Sequence, residues 1–172
     1  VMGFHSFLEK NRIPLELVMA KFGIKKYLKN HAQVNQASKD LAEERGACPD
    51  AAEYGYQERF SNKTAIAPTA SISIICGGAS PGVEPIAANS YTHKTLSGSF
   101  NVRNRYLEEI LESHGKNDDE TWSTITTNQG SVSHLDFLTD LEKDVFKTAF
   151  ELNQNWIIEL SGDRTPFISQ AQ

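Results

Sequence analysis

The sequence predicts an α/β domain that is mostly helical by content. Three observations predict it. A stripe of apolar residues recurs at helical spacing over 141–160, and a second such face runs over 102–113. One short apolar strand, Lys63–Ala67, leads into a turn of proline and small hydroxyl residues. The 172 residues, 39% of them hydrophobic, suffice for a single core, and no repeat, low-complexity tract or hinge divides them.

The elements follow in chain order. Phe4, Phe7 and Leu8 predict a first helix over Phe4–Lys10 that ends before Ile13-Pro14, because proline pushes its predecessor towards extended geometry. A second helix is predicted from about Leu15 to Glu44, with a break near Gly23. Its later half shows Leu28, Ala32, Ala37 and Leu41 on one face, and Gly46 stands at the C-terminal cap. Residues 48–62 form a polar, tyrosine-bearing connection before the buried strand Lys63–Ala67. Gly77–Pro85 is loop, and Ala87–Leu96 is a second extended candidate or an irregular crossing. Three helices close the chain. Val102–Ser113 carries Tyr106, Leu107, Ile110 and Leu111 on one side, and Asp118–Asn128 opens with acids at its positive end. Leu141–Leu160 carries Val145, Ala149, Leu152, Trp156 and Leu160 as one stripe, with Asp140 just ahead of it.

Composition narrows the function. Seventeen basic against 22 acidic residues give a net charge of −5, which argues against a dedicated nucleic-acid or membrane-surface binder. No apolar run approaches the ~20 residues that span a bilayer, and no signal-peptide pattern opens the chain. Cys48 and Cys76 are too few for a disulfide framework, so a cytoplasmic location is expected. The five histidines have no metal-ligand spacing, and no metal site is predicted. Cys76, beside Ile74 and Ile75, is expected to be buried and inert, and Cys48 more exposed. Glu84 is expected to brace its loop by accepting backbone N–H bonds. The pair His93-Lys94 could steer an anion or simply solvate a surface. Trp122 and Trp156 are expected to anchor the core.

The segment Ala65–Ser73 is the candidate site. Pro68 can lead into a first helical turn, where it needs no N–H partner, and Thr69, Ser71 and Ser73 can cap the helix or donate to an anion. The unpaired N–H groups of that turn would face the ligand. An ordinary capped helix after a strand explains the same spacing.

Three pieces in series resemble the large (catalytic, alpha) subunit of ribonucleotide reductase, class I more than the cobalamin-dependent form. They are the Ala67–Ser71 segment (APTAS), the Gly82–Pro85 turn (GVEP) and Asn89–Phe100, with its Tyr-Thr-x-x-x-Leu-Ser-Gly-x-Phe pattern. Weaker resemblance extends to Val1–Phe4, Leu41–Gly46 and Arg164–Gln172, while 56–62 matches the family's approach to the loop more loosely. The resemblance implies part of the C-terminal half of a ten-stranded α/β barrel, with residues 1–172 as a single incomplete domain. Carried over by position, it implies that Pro68, Thr69, Ala70, Ser71 and Ile72 hold the substrate's phosphates, mainly through backbone N–H groups.

The same resemblance implies an oxidoreductase that makes deoxyribonucleotides for DNA replication from ribonucleoside diphosphates by a thiyl-radical mechanism. The family's radical-bearing and redox cysteines have no match here, so no catalytic residue is assigned to this chain and the piece alone is expected to be inactive. The full enzyme, an ATP-binding allosteric protein, would need the remainder of the large subunit in a homodimer. It would also need a small radical-generating subunit with a metal centre and a thioredoxin- or glutaredoxin-type reductant. Both chain ends read as cut from a longer polypeptide. A stand-alone phosphate- or nucleotide-binding helical module without redox activity is the alternative, and a piece that only completes a barrel by docking is a third.

Overall fold

Apolar spacing and polar caps together set the helices. In the computed structural model, which describes residues 2–17, 31–96 and 98–170, helix α1 occupies Phe4–Lys10 as predicted. Gly3 enters it in the left-handed region at φ 78°, and its N–H donates to the Ser80 carbonyl at 2.9 Å. The long second helix is seen in part. Leu15–Leu17 form a turn, residues 18–30 lie outside the described ones, and α2 spans His31–Arg45.

The predicted face of α2 needs correction. Leu28 lies outside the described residues, Ala32 and Ala37 are exposed, and the buried positions are Ser38 and Ala42. The covering segment decides this. The Ser38 hydroxyl accepts the N–H groups of Arg59 and Phe60, and the Gln57 amide donates to the Ala42 carbonyl. Gly46, at φ 82°, follows the helix as a left-handed cap residue should. A short helix α3, Pro49–Glu53, starts on proline inside the polar, tyrosine-bearing connection.

The strand predicted over Lys63–Ala67 does not form. Among the described residues this segment runs beside no strand and bonds instead to the chain's later part. The N–H groups of Lys63 and Thr64 donate to the Ser169 hydroxyl, that of Ile66 to the Gln170 side chain, and Gln170 N–H to the Thr64 carbonyl. Apolar composition marks a buried strand only where a ladder partner is present.

The described residues hold one sheet, an antiparallel hairpin of β1 (Ser90–Thr95) and β2 (Gly98–Arg103), paired from Ser90↔Arg103 to Thr95↔Gly98. The extended candidate at 87–96 is thus confirmed as β1. Its partner was missed, because β2 took the place of a helix start expected at Val102. Helix α4, Ala70–Ile75, precedes the hairpin.

Helix α5 spans Arg105–Ser113, capped by the Asn104 side chain, which accepts from Tyr106 N–H. Helix α6, Asp119–Thr127, is capped by Asp118. The single helix predicted over 141–160 is two. Helix α7, Asp140–Val145, has a capping box between Thr139 and Glu142, and α8, Gln154–Arg164, is capped by Asn153 and runs into a 3-10 turn at Thr165–Phe167. Between them Thr148 donates N–H and O–H to the Glu151 carboxylate, both at 2.8 Å. These local polar bonds compete with a continuous helix, although Val145, Leu152 and Leu160 are all buried.

Two apolar clusters result. One gathers Tyr106, Leu107, Leu111, Trp122, Ile125, Val132, Leu135, Leu138, Val145 and Phe146 from α5–α7 and their connections. The other joins Phe4, Leu8 and Leu15 to Leu152, Leu160 and Ile168, with Trp156 packed against it. No described helix is long and apolar enough to cross a membrane.

Gly130 marks the tightest approach, at φ 82°. A Cβ there would stand 2.3 Å from the Ala88 Cβ and 2.8 Å from Asn89 N, whose N–H donates to the Gly130 carbonyl at 3.1 Å. Gly130→Ala is therefore expected to lower stability by about 2 kcal/mol or more, combining left-handed strain with overpacking. Thermal melts of both proteins check this, and an unchanged Tm contradicts it. Large apolar side chains also stay open, with Leu96, Phe150 and Ile75 more than four-fifths exposed. The chain is expected to self-associate as its concentration rises, and sedimentation showing only monomer contradicts that.

Candidate functional site

The three sequence motifs converge. Thr69 stands before α4 in the left-handed region at φ 53°, a costly conformation for a β-branched residue. Its hydroxyl oxygen accepts the Gly82 N–H at 2.9 Å, which fastens the APTAS segment to the GVEP turn. Gly82 is itself at φ 49°, and a Cβ there would lie 3.0 Å from the Ala67 carbonyl oxygen. The same turn is stitched to α1. Ser6 and Ser80 exchange hydrogen bonds, each hydroxyl accepting the other's backbone N–H, and Ile86 N–H donates to His5 Nδ1 at 3.3 Å.

A cleft of about 380 Å³ opens between these pieces. Ala70, Ser73 and Ile74 line it from α4, residues 78–81 and 86–89 from the loop, Tyr91, Val102 and Arg103 from the hairpin, and Ser6 and Glu9 from α1. Its rear wall is a chain of linked amides, with Asn89 buried and Asn104 half-buried. One Asn104 Nδ2 group donates to Glu9 Oε1 and to Asn89 Oδ1, both at 2.8 Å. Asn89 Nδ2 in turn donates to the carbonyls of Gly130 and Phe146, at 2.9 and 2.8 Å.

Glu9 is 1% exposed, and burial raises its pKa to about 8 against the bonds to Asn104 and the field of Arg12. Burial lowers the His5 pKa to about 4. Both are neutral at pH 7, so their 3.7 Å approach is a contact of uncharged groups. The sequence reading missed Glu9 and Asn104. The available signal was an acid at i+1 from Leu8 and i+4 from His5, on a helix whose other inward residues are apolar.

The predicted site residues are placed unevenly. Ala70 lines the cleft, whereas Pro68, Ser71 and Ile72 are exposed outside it. Pro68 precedes Thr69 rather than opening the helix, and the Thr69 side chain does not cap, because its oxygen is committed to Gly82. The N–H groups of Ala70, Ser71 and Ile72 have no partner among the described residues. Cys76 is exposed, contrary to expectation, since Ile74 and Ile75 face outwards too, and Cys48 is half-buried. Glu84 is exposed and accepts no bond among the described residues, so the loop is braced by Thr69, Ser6 and Ser80 instead. His93 and Lys94 lie on β1, away from the cleft lining.

Comparison with known proteins gives consistent matches. A family model described as the ribonucleotide reductase barrel domain matches residues 18–172. Over its whole length the chain is 45% identical to 18% of the ribonucleoside-diphosphate reductase large subunit of Invertebrate iridescent virus 6. It is 41% identical, over 99% of its length, to 28% of the protein of that name from Invertebrate iridescent virus 3. Among solved structures, the Actinobacillus ureae class Id ribonucleotide reductase alpha subunit superposes on the entire chain with a TM-score of 0.89 and 36% identity, over 31% of its own length. The chain spans less than a third of each of these proteins.

The buried pair sets a pH dependence. Folded Glu9 keeps its proton up to about 8, whereas its ordinary value is 4.5, so its contribution to stability declines as pH rises across that interval. His5 opposes it between about 4 and 6.5, where only the unfolded form takes up the proton. From 6.5 to about 8 the Glu9 effect stands alone. Tm is expected to fall with pH over that window, and Glu9→Gln, which keeps the Asn104 bond, is expected to flatten the fall. Parallel curves for the two proteins contradict this.

Proposed function

The chain belongs to the ribonucleotide reductase barrel-domain family, and from that premise we propose that it supplies the substrate-phosphate loop of a ribonucleoside-diphosphate reductase large subunit, an oxidoreductase. The observation that carries the proposal is the set of unpartnered N–H groups at Ala70, Ser71 and Ile72, held at the surface by the Thr69–Gly82 bond. A diphosphate needs several fixed donors, and backbone N–H groups provide them without a cation beside the reacting centre. Ala70 leaves room for close approach, and the exposed Ser71 hydroxyl adds one further donor.

In this reading the chain's own residues bind and orient. The strained Thr69 sets the direction of the N–H groups that follow it, and Pro68 limits the approach to the loop. Thiyl-radical chemistry and the reducing cysteine pair belong to the remainder of the large subunit. The radical comes from a metal-bearing small subunit, electrons come from a thioredoxin- or glutaredoxin-type protein, and the whole works as a homodimer in the cytoplasm.

Reduction of a ribonucleoside diphosphate by this chain combined with the rest of a large subunit and a small subunit tests the reading. Failure of a folded, complete complex to turn over sinks it. In the active complex, Ser71→Glu is expected to weaken substrate binding about tenfold or more through like-charge repulsion. An unchanged KM would reject Pro68–Ile72 as the phosphate site.

A further inference from the structure

We propose that the pocket beside α3 receives the cationic side chain, arginine or lysine, of a protein segment that docks on this face. The pocket shares no lining residue with the cleft at α1 and the hairpin, so the proposal stands or falls apart from the phosphate loop.

One short stretch of chain builds the pocket, which has a volume of about 350 Å³. Tyr54, Tyr56 and Phe60 line it together with Asp50 and Glu58. The stretch is folded back on itself. Cys48 N–H donates to the Glu58 carbonyl at 2.9 Å and Tyr56 N–H to the Ala51 carbonyl at 2.8 Å. Gly55, left-handed at φ 74°, turns the chain between the two tyrosines. Ser38 on α2 anchors the far end, its hydroxyl accepting the N–H groups of Arg59 and Phe60. A ligand therefore meets walls that are already in place.

The chemistry of the lining selects a cation. Aromatic faces are electron-rich, and carboxylates beside them add full negative charge. Asp50 is exposed in the first turn of α3. Lys63 Nζ meets Glu58 Oε1 at 3.2 Å, whereas Glu58 Oε2 is buried with no hydrogen-bond partner among the described residues. A bond from Ser38 and the pairing with Lys63 hold the Glu58 carboxyl below its ordinary range, so it is an anion at neutral pH. Arg59, the other cation of the stretch, donates to the Gly46 carbonyl. The lining thus carries two carboxylates against one lysine, already paired. An anion would be repelled here. An apolar side chain would cover the rings but strip water from the carboxylates without replacing it. A cation on an apolar stem satisfies both.

A protein segment suits this face better than a free small cation. Tyr54, Tyr56 and Phe60 are each more than half exposed, an apolar area beyond the reach of a single side chain. The chain's net charge of −5 also favours the approach of a basic partner.

The test is a titration of the chain, followed by NMR, with N-acetyl-Gly-Arg-Gly-amide, its Gly-Leu-Gly counterpart and spermidine. Arginine is the probe because its guanidinium is weakly hydrated and stacks on rings. The arginine peptide is expected to shift the ring signals of Tyr54, Tyr56 and Phe60 saturably, about threefold more tightly than the leucine peptide. Its affinity should fall about threefold as salt rises from about 20 to about 150 mM. Asp50→Asn and Phe60→Ala, both at exposed positions, should each weaken it by about threefold. Equal affinity for the leucine peptide, no shift at the three rings, indifference to salt, or unchanged binding in both variants overturns the proposal. Tighter binding of spermidine than of the arginine peptide overturns it in favour of a free polyamine.

Discussion

The rest of the structure depends on the amide chain from Glu9 through Asn104 and Asn89 to the carbonyls of Gly130 and Phe146. It touches helix α1, the first residue before the hairpin, the cap of α5, the turn after α6 and the end of α7. A buried amide with every site satisfied specifies one arrangement, because any shift leaves a polar group unpaired at a cost of about 1–3 kcal/mol. Asn104 has two duties at once: its oxygen caps α5 while its nitrogen ties α1 to the hairpin. The start of a helix and the wall of the cleft are thus settled by one side chain.

The second constraint is the Thr69–Gly82 contact. Left-handed backbone at a β-branched residue persists only where its surroundings over-determine it. Here those surroundings are a glycine N–H and a close approach to the Ala67 carbonyl, which a Cβ on Gly82 would crowd at 3.0 Å. This gives a physical reason for the APTAS and GVEP segments to occur together: each supplies what the other's backbone requires. The third segment joins through Asn89.

Legibility in the sequence followed locality. Helices α1 and α6 could be read within one residue and α5 within three, because their apolar spacing and caps lie in the same short stretch. The 141–160 stripe misled because buried positions in three different elements happened to fall at helical spacing, while Thr148, Glu151 and Asn153 interrupt the backbone. Lys63–Ala67 misled because a strand is defined by a partner, and its bonds run to Ser169 and Gln170, over a hundred residues away. For the site, the motifs located the loop and the cleft's rim. They could not reveal Glu9, whose role depends on a contact with Asn104 across 95 positions. The exposure of Cys76 was equally hidden, since it depends on what covers α4.

The two apolar clusters differ in what it takes to assemble them. The Trp122 cluster draws on residues 106–146 alone, so each of its contacts closes a short loop. The Phe4 cluster unites residues 4–15 with 152–168, and it can form only after most of the chain is already gathered. Low contact order on one side and high on the other make the α5–α7 unit the natural folding nucleus. The cleft takes Ser6 and Glu9 from α1 and no lining residue from 106–146, so on this order it is among the last parts of the molecule to take shape.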